Sequence, residues 1–589
     1  MVLVRFVRRA KPRGCGLWID ARLAFLRAVI IKQSVTSPAD PASDTARRRG
    51  QGRPGWAIAA ALVACVLAVP ALAVAWQVFV PPGETWTHLW TTVLPGYVGS
   101  TLALVTLVGA GTLVLGVGLA WLTVMTQFPG RRFLAYALVL PLAAPAYVVA
   151  YAFADLLQAA GPVQGLLRGL TGWRVGDYWF PDIRSLWGAG LIFTLTLYPY
   201  VYLLARAAFL QQSASALDVA RTLGLGPWRV FFRVALPLAR PAIAGGLALA
   251  LMETLADFGA VSYLSVQTFT TGIYRAWYAM GDRAAAGQLA AVLLGVVVLL
   301  LTLERMGRRG RAVHNAGARI QPPAPIRLAG WRAALAPLLC ALPPVLGFLV
   351  PAAALVRLMV LHGPGQVNER FLGAAAASFA LALAAAALTV AIALLIAYAR
   401  RAAPGRATSF AAAIAGYGYA LPGSVIAVGI LIPMTFIDRT VNAFMIDQFG
   451  IRTGLLITGS VAGLLFAYAV RFAAPALEAV ESGFQRVTPS VAAAARMLAR
   501  GPRDALRRVH VPLVAPAALT AALIVFVDTM KELPATLLMR PLNSETLAVL
   551  AYGYASDERL ESAALPSLAI VLIGLPPLVL LMRRIAGGR

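Results

Sequence analysis

The chain is poor in the residues that most often carry chemistry. Its only lysines are Lys11, Lys32 and Lys531, so no Gly-x-x-x-x-Gly-Lys-Ser/Thr phosphate loop can be written anywhere in it. Cys15, Cys65 and Cys340 are far apart, which excludes a disulfide framework and a cysteine-based metal pattern. His88, His314, His362 and His510 are equally scattered and form no metal-ligand spacing of their own. Charge is scarce as well: 13% of 589 residues, where a soluble chain carries about a quarter. What charge there is leans to a formal +27. Such an excess suits nucleic acid only when it is gathered into a patch or stripe. Here most arginines stand between apolar runs, and nucleic acid is set aside as a partner.

Long apolar runs fill the chain instead. Hydrophobic residues make up 60% of it, and runs of the roughly 20 residues that cross a bilayer recur throughout. Spans are expected near 57–79, 98–126, 133–156, 186–212, 240–265 and 284–306, then near 331–361, 372–399, 407–436, 454–476, 513–539 and 562–584. The fold class is therefore all-α: a polytopic membrane protein of about twelve helices in the lipid bilayer. Residues 1–54 read as a basic, disordered cytoplasmic tail and 307–330 as a polar cytoplasmic linker. They leave transmembrane domains at 55–306 and 331–589.

Arginine orients the spans. Arg131 and Arg132, Arg305, Arg308 and Arg309, Arg400 and Arg401, and Arg583 and Arg584 all follow even-numbered spans. They fall on one side, which the positive-inside rule makes cytoplasmic, together with both termini.

The two halves match each other. "DVARTLGLGPWRVFFRVALPLARPA" (218–242) and "AAARMLARGPRDALRRVHVPLVAPA" (493–517) align at an offset of 275. Ala220 then meets Ala495, Arg221 meets Arg496, Gly226 meets Gly501, Pro227 meets Pro502 and Pro237 meets Pro512. The register continues into the next span, where Asp257 meets Glu532. Six spans per unit is an even number, so both units insert the same way up. The result is two tandem parallel six-helix repeats about an axis along the membrane normal.

The repeated stretch lies in a cytoplasmic loop. "SALDVARTL" reads as a short helix, Gly224 and Gly226 can end it through a left-handed residue, and Pro227 suits the first turn of the next helix. Asp218-Val219-Ala220, three residues, Gly224, nine residues and Val234-Ala235-Leu236-Pro237 resemble the loop signature of binding-protein-dependent ABC importer permeases. That signature reads Glu-Ala-Ala, three residues, Gly, nine residues, Ile-x-Leu-Pro. Asp replaces Glu and Val replaces both the first Ala and Ile, with the spacing intact. The second copy departs further: Ala493, Ala494 and Ala495 replace the acidic opening and Ala499 replaces the glycine, while Gly501, Pro502 and Pro512 keep register.

"MKELPATLLMRPLNSETLAVLAYGYASDERLESAALPSL", "METLADFGAVSYL" and "GYALPGSVIAVGIL" resemble the fused two-domain ferric-iron permeases of this superfamily. The resemblance implies that two ABC ATPase subunits dock at the two loops and hydrolyse ATP-Mg there. It also implies that a periplasmic substrate-binding protein delivers the cargo and that this chain, itself no enzyme, binds no cofactor, in a bacterial inner membrane. Thiamine, sulfate, phosphonate and polyamine permeases share parts of the pattern and stay open as cargo classes. A six-plus-six secondary transporter would need no motif shared between its loops.

Charges inside the apolar runs mark the candidate pathway. Glu253 and Asp257 lie in the fifth span, and Asp528, Lys531 and Glu532 lie in the eleventh, followed by Pro534. A charge in the bilayer core costs at least ~2.5–3.5 kcal/mol, so such groups face protein or water. Read as one helix, Asp528, Lys531 and Glu532 share a face, and Pro534 breaks the helix and frees carbonyls. Two readings stay open: a carboxylate-lined route for a cation, and an ion-pair network that clamps the halves.

Overall fold

The structure, a computed structural model, describes residues 54–212, 220, 222–308, 325–362, 367–485, 487, 490–491, 497, 506–542 and 544–587. The tail reading of residues 1–53, most of the linker, Asp218, Arg221, Ala493, Ala495, Arg496, Gly501 and Pro502 lie outside the described residues.

Twelve helices among the described residues are long and apolar enough to cross a membrane. They fall near the twelve expected runs, with four informative departures. The third and ninth runs are interrupted. Helix Arg131–Ala137 gives way to a tight turn at Leu140–Ala143, and the chain turns extended at Ala144 before Pro145. Arg406–Tyr417 breaks in the same way ahead of Pro422, where Leu421 is extended. A proline pushes its predecessor out of the helical region, and that is the cause at both places. The fifth and eleventh runs break as well, as described below. A smaller shift affects the tenth span, Val461–Gln485, which starts seven residues later than expected. Gly450, Gly454 and Gly459, all at positive φ, hold 450–460 in loop.

Ten helices carry or flank the site and are numbered in chain order. The first half supplies α1 Ala146–Leu157, α2 Leu186–Gln211, α3 Leu236–Ala256, α4 Gly259–Tyr263 and α5 Phe269–Tyr274. The second half supplies α6 Gly423–Phe449, α7 Val461–Gln485, α8 Val511–Met530, α9 Pro534–Met539 and α10 Leu547–Ser556.

The halves exchange their first spans. Pro54–Trp76 packs on α6 of the second half, and Val350–His362 packs on α1 of the first. Glycines allow the closest approaches: a Cβ at Gly429 would come within 2.3 Å of the Pro70 carbonyl oxygen. The cores are shared accordingly. Ala60, Ala64 and Leu67 are buried with second-half residues such as Leu464 and Tyr468, and Leu355 and Leu358 are buried with Val148 and Tyr151. An ion pair of 2.6 Å between Arg357 and buried Asp155 fastens one of these crossings. A two-residue parallel ladder, Thr126–Gln127 with Ile326–Arg327, ties the end of the linker to the first half and is a small exception to the all-α expectation.

Candidate functional site

The site grows from two broken helices. α3 ends at Ala256, and Asp257 turns extended. The Asp257 Oδ1 then accepts hydrogen bonds from the backbone N–H of Ala260 at 2.8 Å and of Val261 at 3.2 Å. The eleventh span repeats this design. α8 ends at Met530, and the two carboxylate oxygens of Glu532 accept from the N–H of Ala535 and of Thr536, each at 2.9 Å. The Thr536 hydroxyl donates to the same carboxylate. The first N–H groups of a helix have no partner within it, and a carboxylate held in front of them satisfies that need and complements the dipole. Asp257 and Glu532 thus perform the same task at positions 275 apart: each caps the half-helix that follows it.

This corrects the single-helix reading of the eleventh span. Lys531 and Glu532 lie beyond the end of α8: Lys531 still reaches Asp528 one turn back, whereas Glu532 turns away to the N–H groups of α9. Pro534 does not break a running helix; it opens α9, in the first turn where its missing N–H costs nothing. The N–H donors of α9 are answered by Glu532, and the Lys531 carbonyl, freed where α8 ends, is answered by Tyr147.

All six residues singled out as a pathway, Glu253, Asp257, Asp528, Lys531, Glu532 and Pro534, come together around one cavity of about 120 Å³. Its acids obey the internal symmetry, since Glu253 and Asp528 are also 275 apart. Its bases do not. Lys531 corresponds to Ala256, and a second cation, Arg471 of α7, corresponds to Thr196 of α2. Both of those neutral counterparts line the cavity as well. Lys531 Nζ pairs with Asp528 Oδ1 at 2.8 Å. Arg471 lies on the cavity, is only 9% exposed, and its Nη1 stands 3.9 Å from Glu532 Oε1. The sequence reading passed over Arg471, although a lone arginine in the middle of an apolar run is the same signal that marked Asp528.

Tyrosines bind each half to the other's broken helix. Tyr147 of α1 donates to the Lys531 carbonyl at 3.2 Å. Tyr274 of α5 donates to the Pro534 carbonyl at 2.6 Å. In the other direction, Tyr552 of α10 meets the Ser262 hydroxyl of α4 at 3.0 Å. Phe258, between Asp257 and Gly259 of the central cavity, stacks on Tyr274 with centroids 3.7 Å apart and lines a second cavity of about 980 Å³. Arg370, Arg540 and Glu545 border that outer cavity, at the end of the bundle away from the repeated loops. The short turns α4 and α9 are therefore the partition between an inner and an outer chamber.

Gly423 at the start of α6 is required by this packing. A Cβ there would stand 2.7 Å from Arg471 Nη1, 2.8 Å from Glu532 Oε1 and 3.1 Å from the Ala535 nitrogen. Gly423→Ala is expected to destabilise the protein by about 1–3 kcal/mol, as overpacking does in a filled interior. An unchanged thermal midpoint in detergent would contradict the tight seating of the Arg471–Glu532 pair.

At the outer end, Arg184 clasps Glu558 with two hydrogen bonds of 2.7 Å and bridges the halves. That guanidinium holds the Glu558 carboxyl below the usual carboxylate range. The pair therefore stabilises the fold above about pH 4.3 and loses its contribution as pH falls through the depressed value. Both partners are partly exposed, so the effect is small. Glu558→Gln is expected to lower the thermal midpoint slightly at pH 7, by an amount that shrinks as pH falls below about 4.3. A deficit that persists undiminished at low pH would point to packing instead of charge.

The repeated loop shows its geometry in the first half. Gly224 has φ +80°, and the N–H of Leu225 reaches back to the carbonyl of Ala220 at 3.2 Å. This is the six-to-one bond of a left-handed helix end, as the sequence implies. Gly226 does a different job from the one expected. It is not at positive φ; its carbonyl accepts from Val230 and opens the helix Pro227–Val230, whose first residue is Pro227.

Two related six-span halves, an enclosed charged chamber between them and a turn motif at one end define a multi-pass membrane permease. Comparison with known proteins gives the family. The profile of the binding-protein-dependent transport system inner membrane component matches residues 112–307. The chain is 25% identical over 489 residues to the Fe(3+)-transport system permease protein FbpB 2 of Haemophilus influenzae, covering 82% of this chain and 89% of that protein. It is 32% identical over 208 residues to the molybdenum transport system permease protein ModB of Escherichia coli, covering 34% and 87%. It is 28% identical over 226 residues to the putative 2-aminoethylphosphonate transport system permease protein PhnU of Salmonella paratyphi A, covering 38% and 76%. This chain belongs to the binding-protein-dependent inner membrane components, the permeases of ABC importers.

Proposed function

We propose that this chain is the complete transmembrane part of an ATP-driven importer for ferric iron. A periplasmic binding protein delivers the iron to the outer chamber. Two separate ATPase subunits bind ATP-Mg and dock at the loops around 218–237 and 493–512, and the two termini face the cytoplasm with them. One observation carries the cargo assignment. The match to the Fe(3+) permease runs through both halves, whereas the molybdenum and phosphonate relatives match about one half each. The four carboxylates around the cavity suit a hard cation that prefers oxygen ligands.

Uptake of radiolabelled ferric iron by cells with and without the gene tests this. The expected result is iron uptake that depends on the chain and is unaffected by excess molybdate or 2-aminoethylphosphonate. Uptake that either compound abolishes, or iron accumulation equal in the deletion strain, would overturn the iron assignment and leave the permease assignment standing.

A further inference from the structure

Three of the four carboxylates of the central cavity are hydrogen-bonded or closely paired, and one of its cations has guanidinium nitrogens with no hydrogen-bond partner among the described residues. Asp257 and Glu532 face backbone N–H groups, and Asp528 holds Lys531. A guanidinium carries five N–H donors in a planar fork. In Arg471, both Nε and Nη1 lack a hydrogen-bond partner among the described residues. The nearest acid, Glu532, stands 3.9 Å off, beyond hydrogen-bond distance, because its oxygens already serve Ala535 and Thr536. A buried donor left unmatched is costly, so a purely structural arginine at this depth would be expected to have acceptors. The residue is also where the pseudo-symmetry fails, since α2 has Thr196 in its place.

The geometry points to Arg471 as an anion subsite of the central cavity: its fork takes an oxyanion, either an acidic group of the cargo or an anion that travels as a ligand of the metal. Forked guanidinium donors fit two oxygens of a phosphate, phosphonate or carboxylate at once. The surrounding acids outnumber the bases, so a bare anion binds here, but more weakly than a cargo that carries both signs. A cargo with both signs is favoured: its positive part lies toward Glu253 and Asp528, and its oxyanion lies on Arg471. This rests on the reading of the cavity as the cargo route.

Inorganic phosphate is the probe. The full chain in nanodiscs of neutral phosphatidylcholine is titrated with phosphate against chloride at matched ionic strength, and the thermal midpoint is followed. The wild type is expected to show a saturable rise. Arg471→Gln should weaken the half-saturation concentration by tenfold or more, and Arg471→Lys, which keeps the charge and loses the fork, should fall between. Because Arg471→Gln leaves Glu532 without its neighbouring cation, the neutral double variant Arg471→Gln/Glu532→Gln is measured beside it and should be equally insensitive. No saturable rise in the wild type, or the same rise in the variants, overturns the subsite. Cell uptake separates the two sources. Iron uptake that rises with added oxyanion and loses that dependence in Arg471→Lys places the anion on the metal. Uptake of labelled molybdate or 2-aminoethylphosphonate without iron places it on the cargo and rejects the ferric reading, leaving the subsite intact.

Discussion

Glu532→Ala is expected to be the most damaging single change in the membrane interior, with a loss of about 3–5 kcal/mol in stability. Glu532 is only 5% exposed, and its carboxylate serves two backbone donors and one hydroxyl. Its removal leaves the first turn of α9 unsatisfied and Arg471 without its neighbouring acid. The symmetry-related Asp257→Ala removes two hydrogen bonds from a less enclosed group and should cost about 1–2 kcal/mol, the range for loss of a helix cap. Lys531→Met should also be milder than Glu532→Ala. The Lys531 and Asp528 side chains keep 31% and 19% of their surface exposed, and an ion pair that meets solvent is worth less than a buried one. Thermal midpoints in detergent, measured on the three variants, check the order. A larger loss in Lys531→Met than in Glu532→Ala would contradict the assignment of Glu532 as a cap and favour a clamp centred on Lys531.

Gly224→Pro is expected to abolish coupling while leaving the protein in the membrane. Proline fixes φ near −65°, and Gly224 sits at +80°. The substitution therefore cannot form the helix end that sets the angle between the segment at Ala220 and the helix Pro227–Val230. Substrate-stimulated ATP hydrolysis should fall to the basal rate, and uptake should fall by at least tenfold at equal protein level. Gly224→Ala provides the graded control. A Cβ at this position meets no atom within 4 Å, so alanine bears only the conformational cost of the left-handed region, about 1 kcal/mol. Its uptake should be reduced and not abolished. Normal stimulated hydrolysis in Gly224→Pro would count decisively against a docking role for this loop.

The fold was largely legible because membrane insertion constrains sequence so strongly. Apolar length located twelve spans, and the 275-residue repeat defined two halves. The breaks were less visible, since hydropathy does not register where a helix stops inside an apolar run. Pro145 and Pro422 could have been read as interruptions, as both force extended conformation on the residue before them. The ends of α3 and α8 carry no such mark: Ala256 and Met530 are good helix residues, and those helices stop because Asp257 and Glu532 turn back to serve the next segment.

The charged residues themselves were found from sequence, and their gathering around one cavity follows from the repeat. Their separate tasks were not legible. A spacing of four residues suggests a shared helix face only if the helix continues, and at Glu532 it does not. Arg471 is less legible, because it stands alone in its span and the acid it faces, Glu532, comes from another. The exchange of first spans between the halves has no local signature at all, since Pro54–Trp76 is apolar on every side.

The central claim is that one copy of this chain supplies both halves of the transport pathway. Native mass of the complex purified from membranes with its ATPase tests that most directly. The expected particle holds one copy of the 62.1 kDa chain and two ATPase subunits, one at each repeated loop. A particle with two copies of this chain per ATPase pair would contradict it.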